Sequence, residues 1–532
     1  FQRKAHIVAG GHKTSTPSSL TYSSKVSRDS VRMALTIAAL HNLEVLACDI
    51  QNAYLQAPSS EKHYIICGDE FGEEHRGKVA LIRRALYGGK MAGCDYWRHM
   101  RRFMSELGFK ACKADPEVWM REHTSPSGES YWEFVLLYVD DCLVISHQGM
   151  SILRNEIGVH FKLKEESVGE PKLYLGGKII KKAYKTKEGI KDLWLFLSLQ
   201  YIQNACKNVK LYLKNETRPG FKVTKKDNQS PISSGYRPEL DKTEELSPED
   251  ASHYHSLIGV LRWIVELGCV DIITEVSMLS SCLALPRFGH LLEVFNIFAY
   301  LDVYHNTEMV FDSTTPDVDV EKDFPKEDWS TSVYLDEDGS VPSEVIPEDA
   351  PVPKGKGMMM TLFVDSDHAG DKVTCRSRTG YVVFLQNSPI TWFSKKQSSV
   401  ETSTFGSEFM AMKTATEYIR GLRYKLRMMG IPIIGPCLTY GDNNAVVTKS
   451  TLPDSVLKKK SNSIAYNFVR EGATRDEQRC RYIPTDENLS DLCTKPLAFG
   501  EKRIKFCQRL LHHIHDTGKH LARGATRLIG GI

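Results

Sequence analysis

Asp140 and Asp141 are adjacent carboxylates inside "FVLLYVDDCLVIS", residues 134 to 146. The run on their left, Phe134 to Val139, and the run on their right, Cys142 to Ile145, are apolar and of strand length. Two residues between two such runs read as a tight hairpin with the two acids at its tip. Alone, that tip reads as solvated surface. A third acid changes the chemistry: Asp49 closes "EVLACDI" at the end of another strand-like run. Carboxylates that converge repel one another unless a cation lies between them. A hard ion such as Mg²⁺, held by one or two carboxylates and substrate phosphates, meets that need. Two such ions about 4 Å apart suit phosphoryl transfer.

A second acid set follows far along the chain. Asp365 ends "MTLFV", Asp442 follows "CLTY", Glu408 lies in "SEFMAM", and Asp491 lies in "NLSDL". Glu408 belongs to a helix, where it faces a cleft beside the core stripe. Each acid singly reads as a solvated strand end. The set as a whole reads as two separate metal centres, divided by an acidic stretch.

Rigid elements must position these groups. Residues 27 to 40 read as a helix, with Ser27 as its cap, Asp29 in the first turn and Val31, Ala34, Leu35 and Ala38 on one face. A short strand ends at Asp49. "ALIRRALYGGKMAGCDYW" is a glycine-punctuated unit that runs into a helix through Leu107. Ser247-Pro248-Glu249-Asp250 is a helix start, and helical pattern continues to about residue 306. Residues 312 to 357 are acidic and Pro-rich with little periodicity, the signature of a flexible linker. Beyond them, two strands flank a turn at Asn387-Ser388-Pro389, a long helix spans about Thr402 to Met429, and the order β-β-β-α-β-α is an α/β pattern.

The bulk numbers exclude several classes. The 532 residues allow several domains. A net charge of +3 confines any nucleic-acid footprint to a local patch, and "SKKQ" and Lys458 to Lys460 are candidates. The 13 Cys include no CxxC pair, which argues for a reducing compartment and against a structural zinc site. His253 and His255 suit a helix start, and His512, His513 and His515 lie on a basic tail without Cys partners. Leu257 to Ile273 is interrupted by Arg262, Glu266 and Asp271, so it reads as no membrane span. The chain begins with Phe and reads as an internal piece of a longer product.

Taken together, "KAHIVAGG", "CDIQNAYLQAP", "LYGGKMAG", "LGFKACKADPEVWM", "YVDD", "VDSDHAGD", "SRTGYVVFL", "ITWFSKKQ", "SEFMAM", "GDNNAVV" and "NLSDLCTKPL" occur in a recognisable order. The chain resembles the reverse transcriptase and ribonuclease H region of copia-type LTR-retrotransposon polyproteins. The resemblance implies an α+β chain: a right-hand polymerase with fingers, palm and thumb, followed by a ribonuclease H-like α/β domain. It implies fingers and palm over 1–240, a helical thumb or connection over 241–311, the linker over 312–357, the ribonuclease H-like domain over 358–500 and a basic tail over 501–532. It further implies that Asp49, Asp140 and Asp141 are palm carboxylates and metal ligands. Tyr54 would be the steric gate against a ribose 2′-OH, and Lys4 and Lys90 would contact dNTP or template. Asp365, Glu408, Asp442 and Asp491 would form the ribonuclease H tetrad, with Asp367 a near neighbour of the first.

Each centre would take two Mg²⁺, with Mn²⁺ as a substitute. The implied partners are an RNA template, a DNA primer, an RNA–DNA hybrid and dNTPs, with integrase and protease upstream in the polyprotein and no membrane. The implied setting is intracellular, in a cytoplasmic virus-like particle or the nucleus. The sequence departs from the family pattern at His6, where Arg is usual, at Gly89, where Leu is usual, and at Ser461, where His is usual. Those departures leave a second reading, a decayed copy that keeps the fold and at most binds nucleic acid. A palm-type nucleotidyltransferase unrelated to retroelements is a third, and the second acid set argues against it.

Overall fold

The computed structural model describes residues 8–17, 21–186, 188–216, 229–305, 307–457, 460–511 and 513–514. Lys4, His6, Lys458, Lys459, His512 and His515 lie outside the described residues. The chain divides into two compact units. The first comprises 1–174 with 351–355 and 428–430, and the second comprises 175–350, 356–427 and 431–532. The expected boundary at 240 is therefore not where contacts part. The segment after Tyr174 belongs to the second unit, where its strands pair with one another and with residues 308–311.

In the first unit, α1 (Arg28–His41) leads into β1 (Glu44–Asp49). Ser27 caps α1 by accepting from the Ser30 N–H, and Asn42 ends it in the left-handed region at φ 52°. A short helix α2 (Ala53–Gln56) and the hairpin β2 (Pro58–Ile66) and β3 (Val79–Arg84) follow. Then come α3 (Ala92–Glu106), β4 (Lys110–Cys112), β5 (Asp115–Thr124), β6 (Ser130–Tyr138) and β7 (Asp141–Ser146). The main sheet has the order β1-β7-β6-β5-β4 and is antiparallel throughout. Phe134 to Leu137 and Cys142 to Ile145 are buried because β6 and β7 are its inner strands.

The hairpin tip differs from the expectation by one residue. Tyr138 pairs with Asp141, so the turn residues are Val139 and Asp140, and Asp141 already belongs to β7. Val139 takes φ 60°. Two-residue hairpins need a positive φ to match strand twist, and here a β-branched residue supplies it.

The second unit opens with β8 (Lys178–Thr186), β9 (Gly189–Leu197) and α4 (Leu199–Asn215). The helices α5 (Pro248–Glu266), α6 (Ile273–Ser280) and α7 (Phe288–Val303) follow, then β10 (Thr307–Phe311). Ser247 caps α5 as its sequence predicts. After these come β11 (Met358–Asp367), β12 (Arg378–Leu385), β13 (Ser388–Lys396), α8 (Thr404–Met428) and β14 (Ile433–Gly441). The last elements are α9 (Asn444–Thr451), α10 (Ser463–Thr474), β15 (Gln478–Tyr482), α11 (Glu501–Leu511) and the two-residue β16 (His513–Ile514).

One sheet of this unit runs β16-β10-β9-β8. The other runs β13-β12-β11-β14-β15, with β11 to β13 antiparallel and β14 and β15 parallel to β11. This is the topology expected of a ribonuclease H-like domain, so the chain is α+β as its motifs imply.

Residues 312–357 are not the free linker that their composition suggests. Phe324 is 1% exposed in a cluster with Met359 and Leu438, and its ring meets Tyr440 edge-on. Trp329 is 4% exposed, with Arg470 against its ring. Glu344 grips Arg423 through two hydrogen bonds and also pairs with Arg427. A few large anchors spaced along a polar strap pin it, although composition averaged over the segment hides them. No helix among the described residues is long and apolar enough to cross a membrane.

Two candidate metal centres

The first centre forms where β1 and β7 run side by side. Asp49 and Asp141 are direct cross-strand partners, so their side chains share one face of the sheet. Asp140 precedes them in the turn, and its carbonyl accepts the Ile50 N–H at 2.9 Å. Burial first, then Asp140 and Asp49, push the Asp141 carboxyl up to about 6, against the pull of Lys164. Asp140 is also raised, by burial and by Asp49. Lys164 donates from Nζ to Asp49 Oδ2, and its backbone N–H donates to the Asp49 carbonyl at 2.9 Å. Burial opposes the Lys164 charge, but the bond to Asp49 and its charge outweigh it and raise that ammonium. Asp49 Oδ1 is buried without a hydrogen-bond partner.

An orphaned carboxylate oxygen beside two further carboxylates fits a hard cation. Lys164 is absent from the sequence-predicted set. No local motif flags it, because the segment 162–164 reaches Asp49 to Gln51 only through tertiary pairing.

Tyr54 projects from α2 next to this centre. Its ring stacks on Tyr87 with centroids 4.7 Å apart and tilts against Tyr96 at 5.8 Å. The Tyr87 hydroxyl accepts from the Tyr54 backbone N–H, and burial together with Asp140 raises the phenols of both. Lys90 Nζ donates to the Thr14 and Ser15 carbonyls at 2.6 and 3.3 Å, which ties the glycine-punctuated segment to residues near the N-terminus. Within "LYGG" it is Gly88 that the backbone requires. Its φ is +84°, and a Cβ there would lie 2.2 Å from the Ala9 carbonyl oxygen. At Gly89 a Cβ would meet Leu86 O at 3.0 Å.

The second centre lies at the ends of β11 and β14 and on α8. One oxygen from each of Asp365, Glu408 and Asp442 lies within 4.8 Å of the other two. Burial, then the neighbouring carboxylates, raises Asp365 to about 7, with Lys495 opposing. Burial first, then Asp365 and Asp442, drives Glu408 well above the usual carboxylate range. Three carboxylates gathered this closely are an oxygen donor set fit for a hard cation. Thr494 Oγ1 donates to Asp365 Oδ2. A Cβ at Gly380, the β12 partner of Asp365, would lie 2.6 Å from Thr494 and 2.8 Å from Cys493. That glycine admits the 489–493 turn and its flank. Asp367, the near neighbour, is spent elsewhere: it accepts the Arg378 backbone N–H.

Asp491 behaves differently from the other three acids. Lys495 Nζ lies 2.8 Å from its Oδ1, and Lys502 Nζ donates to its Oδ2. Burial opposes its charge, but Lys495, Lys502 and a hydrogen bond with Asp365 hold it below the usual range. Lys495 also lies 3.4 Å from Asp365. Lys495 lies four residues after Asp491, just beyond the 489–493 turn, and its backbone N–H donates to the Asp491 carbonyl at 3.0 Å. Ser461, at the position of the expected His, is exposed and bonds Asn462.

The chain is similar to several known proteins. Residues 1–209 match the family described as reverse transcriptase (RNA-dependent DNA polymerase). The chain is 24% identical over 501 residues to the retrovirus-related Pol polyprotein from transposon RE1 of Arabidopsis thaliana, covering 93% of this chain and 29% of that protein. It is 24% identical over 503 residues to the Pol polyprotein from transposon TNT 1-94 of Nicotiana tabacum, covering 92% of this chain and 32% of that one. The chain thus spans about a third of the length of these relatives. Among solved structures, a foamy viral protease-reverse transcriptase in complex with RNA/DNA hybrid aligns over 90% of this chain and 48% of its own, at 12% identity and TM-score 0.39.

Proposed function

We propose that the chain, whose residues 1–209 match a reverse transcriptase family, is part of a copia-type Pol polyprotein that copies RNA and then DNA into DNA and degrades the RNA strand of the resulting hybrid. The observation that carries this reading is the pair of carboxylate clusters, one at the β1–β7 ends and one at the β11–β14 ends. Asp49, Asp140 and Asp141 would hold divalent cations in the first centre, and Asp365, Glu408 and Asp442 in the second. Such cations, when bound, neutralise phosphate charge and make a hydroxyl or water a better nucleophile.

The chain's own groups do the rest. Lys164 fixes Asp49 Oδ2 and leaves Oδ1 open. The Tyr54 ring, braced by Tyr87, bars a ribose 2′-OH and favours dNTPs. Lys90 keeps the glycine-punctuated segment in place beside the gate. In the second centre Thr494 orients Asp365. Template, primer and hybrid are bound through their phosphates and 2′-OH groups, which call for lysines and arginines and not for base reading.

The test is primer extension on poly(rA)/oligo(dT) with Mg²⁺, beside an Asp140→Asn control. Cleavage of a labelled RNA–DNA hybrid is measured beside Asp442→Asn. Extension no greater than the control's would refute the polymerase reading. It would support the decayed-copy reading, which Ser461 favours.

A further inference from the structure

The ribbon of β2 and β3 stands as a separate two-stranded sheet in the first unit. Its foot is tied down: the Ser60 N–H donates to Asp95 Oδ2 on α3 at 2.9 Å, and the Ala85 N–H donates to the Ala57 carbonyl at 3.0 Å. Cross-strand pairing sets Tyr64 opposite Leu81 and Ile66 opposite Val79. Directly opposed residues point to one side of a sheet, so these four share a face. Tyr64 is 62%, Ile66 74% and Val79 67% exposed. His63, Ile65, Ala80 and Ile82, on the other face, are half-buried. Two strands are marginal in water by themselves, and a contiguous exposed apolar face marks a surface that a partner covers.

Charge is graded along this ribbon. Lys62 and Arg83 lie on the same alternation, two residues nearer the foot, and both are exposed. The connection 67–78 at the tip carries exposed Asp69, Glu70, Glu73 and Glu74 against Arg76 and Lys78. Arg76 pairs with Asp69 at 2.8 Å and His75 with Glu74 at 3.0 Å. Glu70 and Glu73 at the tip, and Lys62 and Arg83 at the foot, have no ion pair among the described residues. The ribbon is thus basic at its foot, apolar in the middle and acidic at its tip. Two two-fold arrangements bury such a face against its own copy. The parallel one sets tip acids on tip acids. The antiparallel one sets the acidic tip of each copy over the basic foot of the other, where opposite charges attract.

We infer that this face joins two copies of the chain, ribbon against ribbon and antiparallel, with Tyr64, Ile66, Val79 and Leu81 at its centre.

The test is sedimentation velocity of the full chain over a concentration series. A reversible monomer–dimer equilibrium is expected, weakened by added salt. Ile66→Lys counts twice across a two-fold interface and is expected to raise the dimer Kd at least about a hundredfold. Lys62→Glu with Arg83→Glu weakens the dimer, as does Glu70→Lys with Glu73→Lys, and the four changes together restore it. All five positions are exposed, so the variants should keep the parent's melting temperature. A chain that stays monomeric at every concentration would overturn the inference, and so would a dimer that Ile66→Lys leaves intact. Failure of the fourfold variant to recover the dimer would refute the antiparallel arrangement. A monomeric chain in which Ile66→Lys weakens binding of single-stranded RNA would assign the face to nucleic acid instead.

Discussion

Asp49 stands directly across the β1–β7 ladder from Asp141, with no residue of offset between them. Like charges in that position destabilise a sheet. The native register therefore sets two acids together at a cost that an opposing charge must offset, and Lys164 offsets part of it through Asp49.

The cost has a defined pH dependence. The Asp141 carboxyl is raised from its ordinary 3.8 to about 6. A raised acid contributes stability that is fully present below the unfolded value and is lost as pH rises through the folded one. In EDTA the chain should lose stability between about pH 4 and pH 6 through this group, and Asp141→Asn should not. Melting temperatures of the two proteins should coincide near pH 4 and separate by pH 7, with the variant the more stable and inactive in primer extension. Curves that stay parallel would contradict the assignment.

Val139 carries the strain of the turn. A left-handed backbone costs an ordinary residue about 1–2 kcal/mol, and glycine adopts it freely. Val139→Gly should stabilise the first unit by about 1 kcal/mol after the entropy cost of glycine is counted. It should also slow primer extension, because Asp140 shares the turn. Urea denaturation and single-turnover extension would measure both, and a destabilised variant would count against the account.

Tyr87 braces Tyr54 by stacking at 4.7 Å. Such a pair contributes about 0.5–1.5 kcal/mol. Tyr87→Leu should therefore lower the preference for dNTP over rNTP, read as a ratio of kcat/KM values, by up to about tenfold. An unchanged ratio with a lower overall rate would mean that Tyr87 serves the fold and not the gate.

If the second centre holds Mg²⁺ as proposed, protons compete for it, because Asp365 is raised to about 7. The gain in Tm on adding Mg²⁺ should be larger at pH 8 than at pH 6. The part of it lost in Asp442→Asn should follow the same trend. A gain independent of pH would refute the competition.

The strap can be tested by one residue. Glu344 binds Arg423, whose side chain is 5% exposed, and Arg427. Removing one partner of such a buried pair typically costs about 3–5 kcal/mol. Glu344→Ala should destabilise the second unit by about 3 kcal/mol in a denaturation curve, and Glu337→Ala, at an exposed position of the same strap, should leave it unchanged. Equal behaviour of the two would restore the free linker.

The sequence by itself determined the fold class, the elements and the acids. Hydrophobic runs of fixed period write strands and helices locally, as in β6 and β7, and Ser27 and Ser247 mark their helix starts. The order of motifs carried the family. Tertiary structure alone decided what each acid does with its charge. It put Asp141 opposite Asp49, brought Lys164 to Asp49 across 115 residues, and set two lysines against Asp491. It also showed that Phe324, Trp329 and Glu344 pin the strap. The physical reason is common to all of these. Secondary structure follows from near neighbours along the chain, whereas the charge state of a carboxylate follows from whatever lies within a few ångströms in space. The spacing of residues along the chain does not encode that distance.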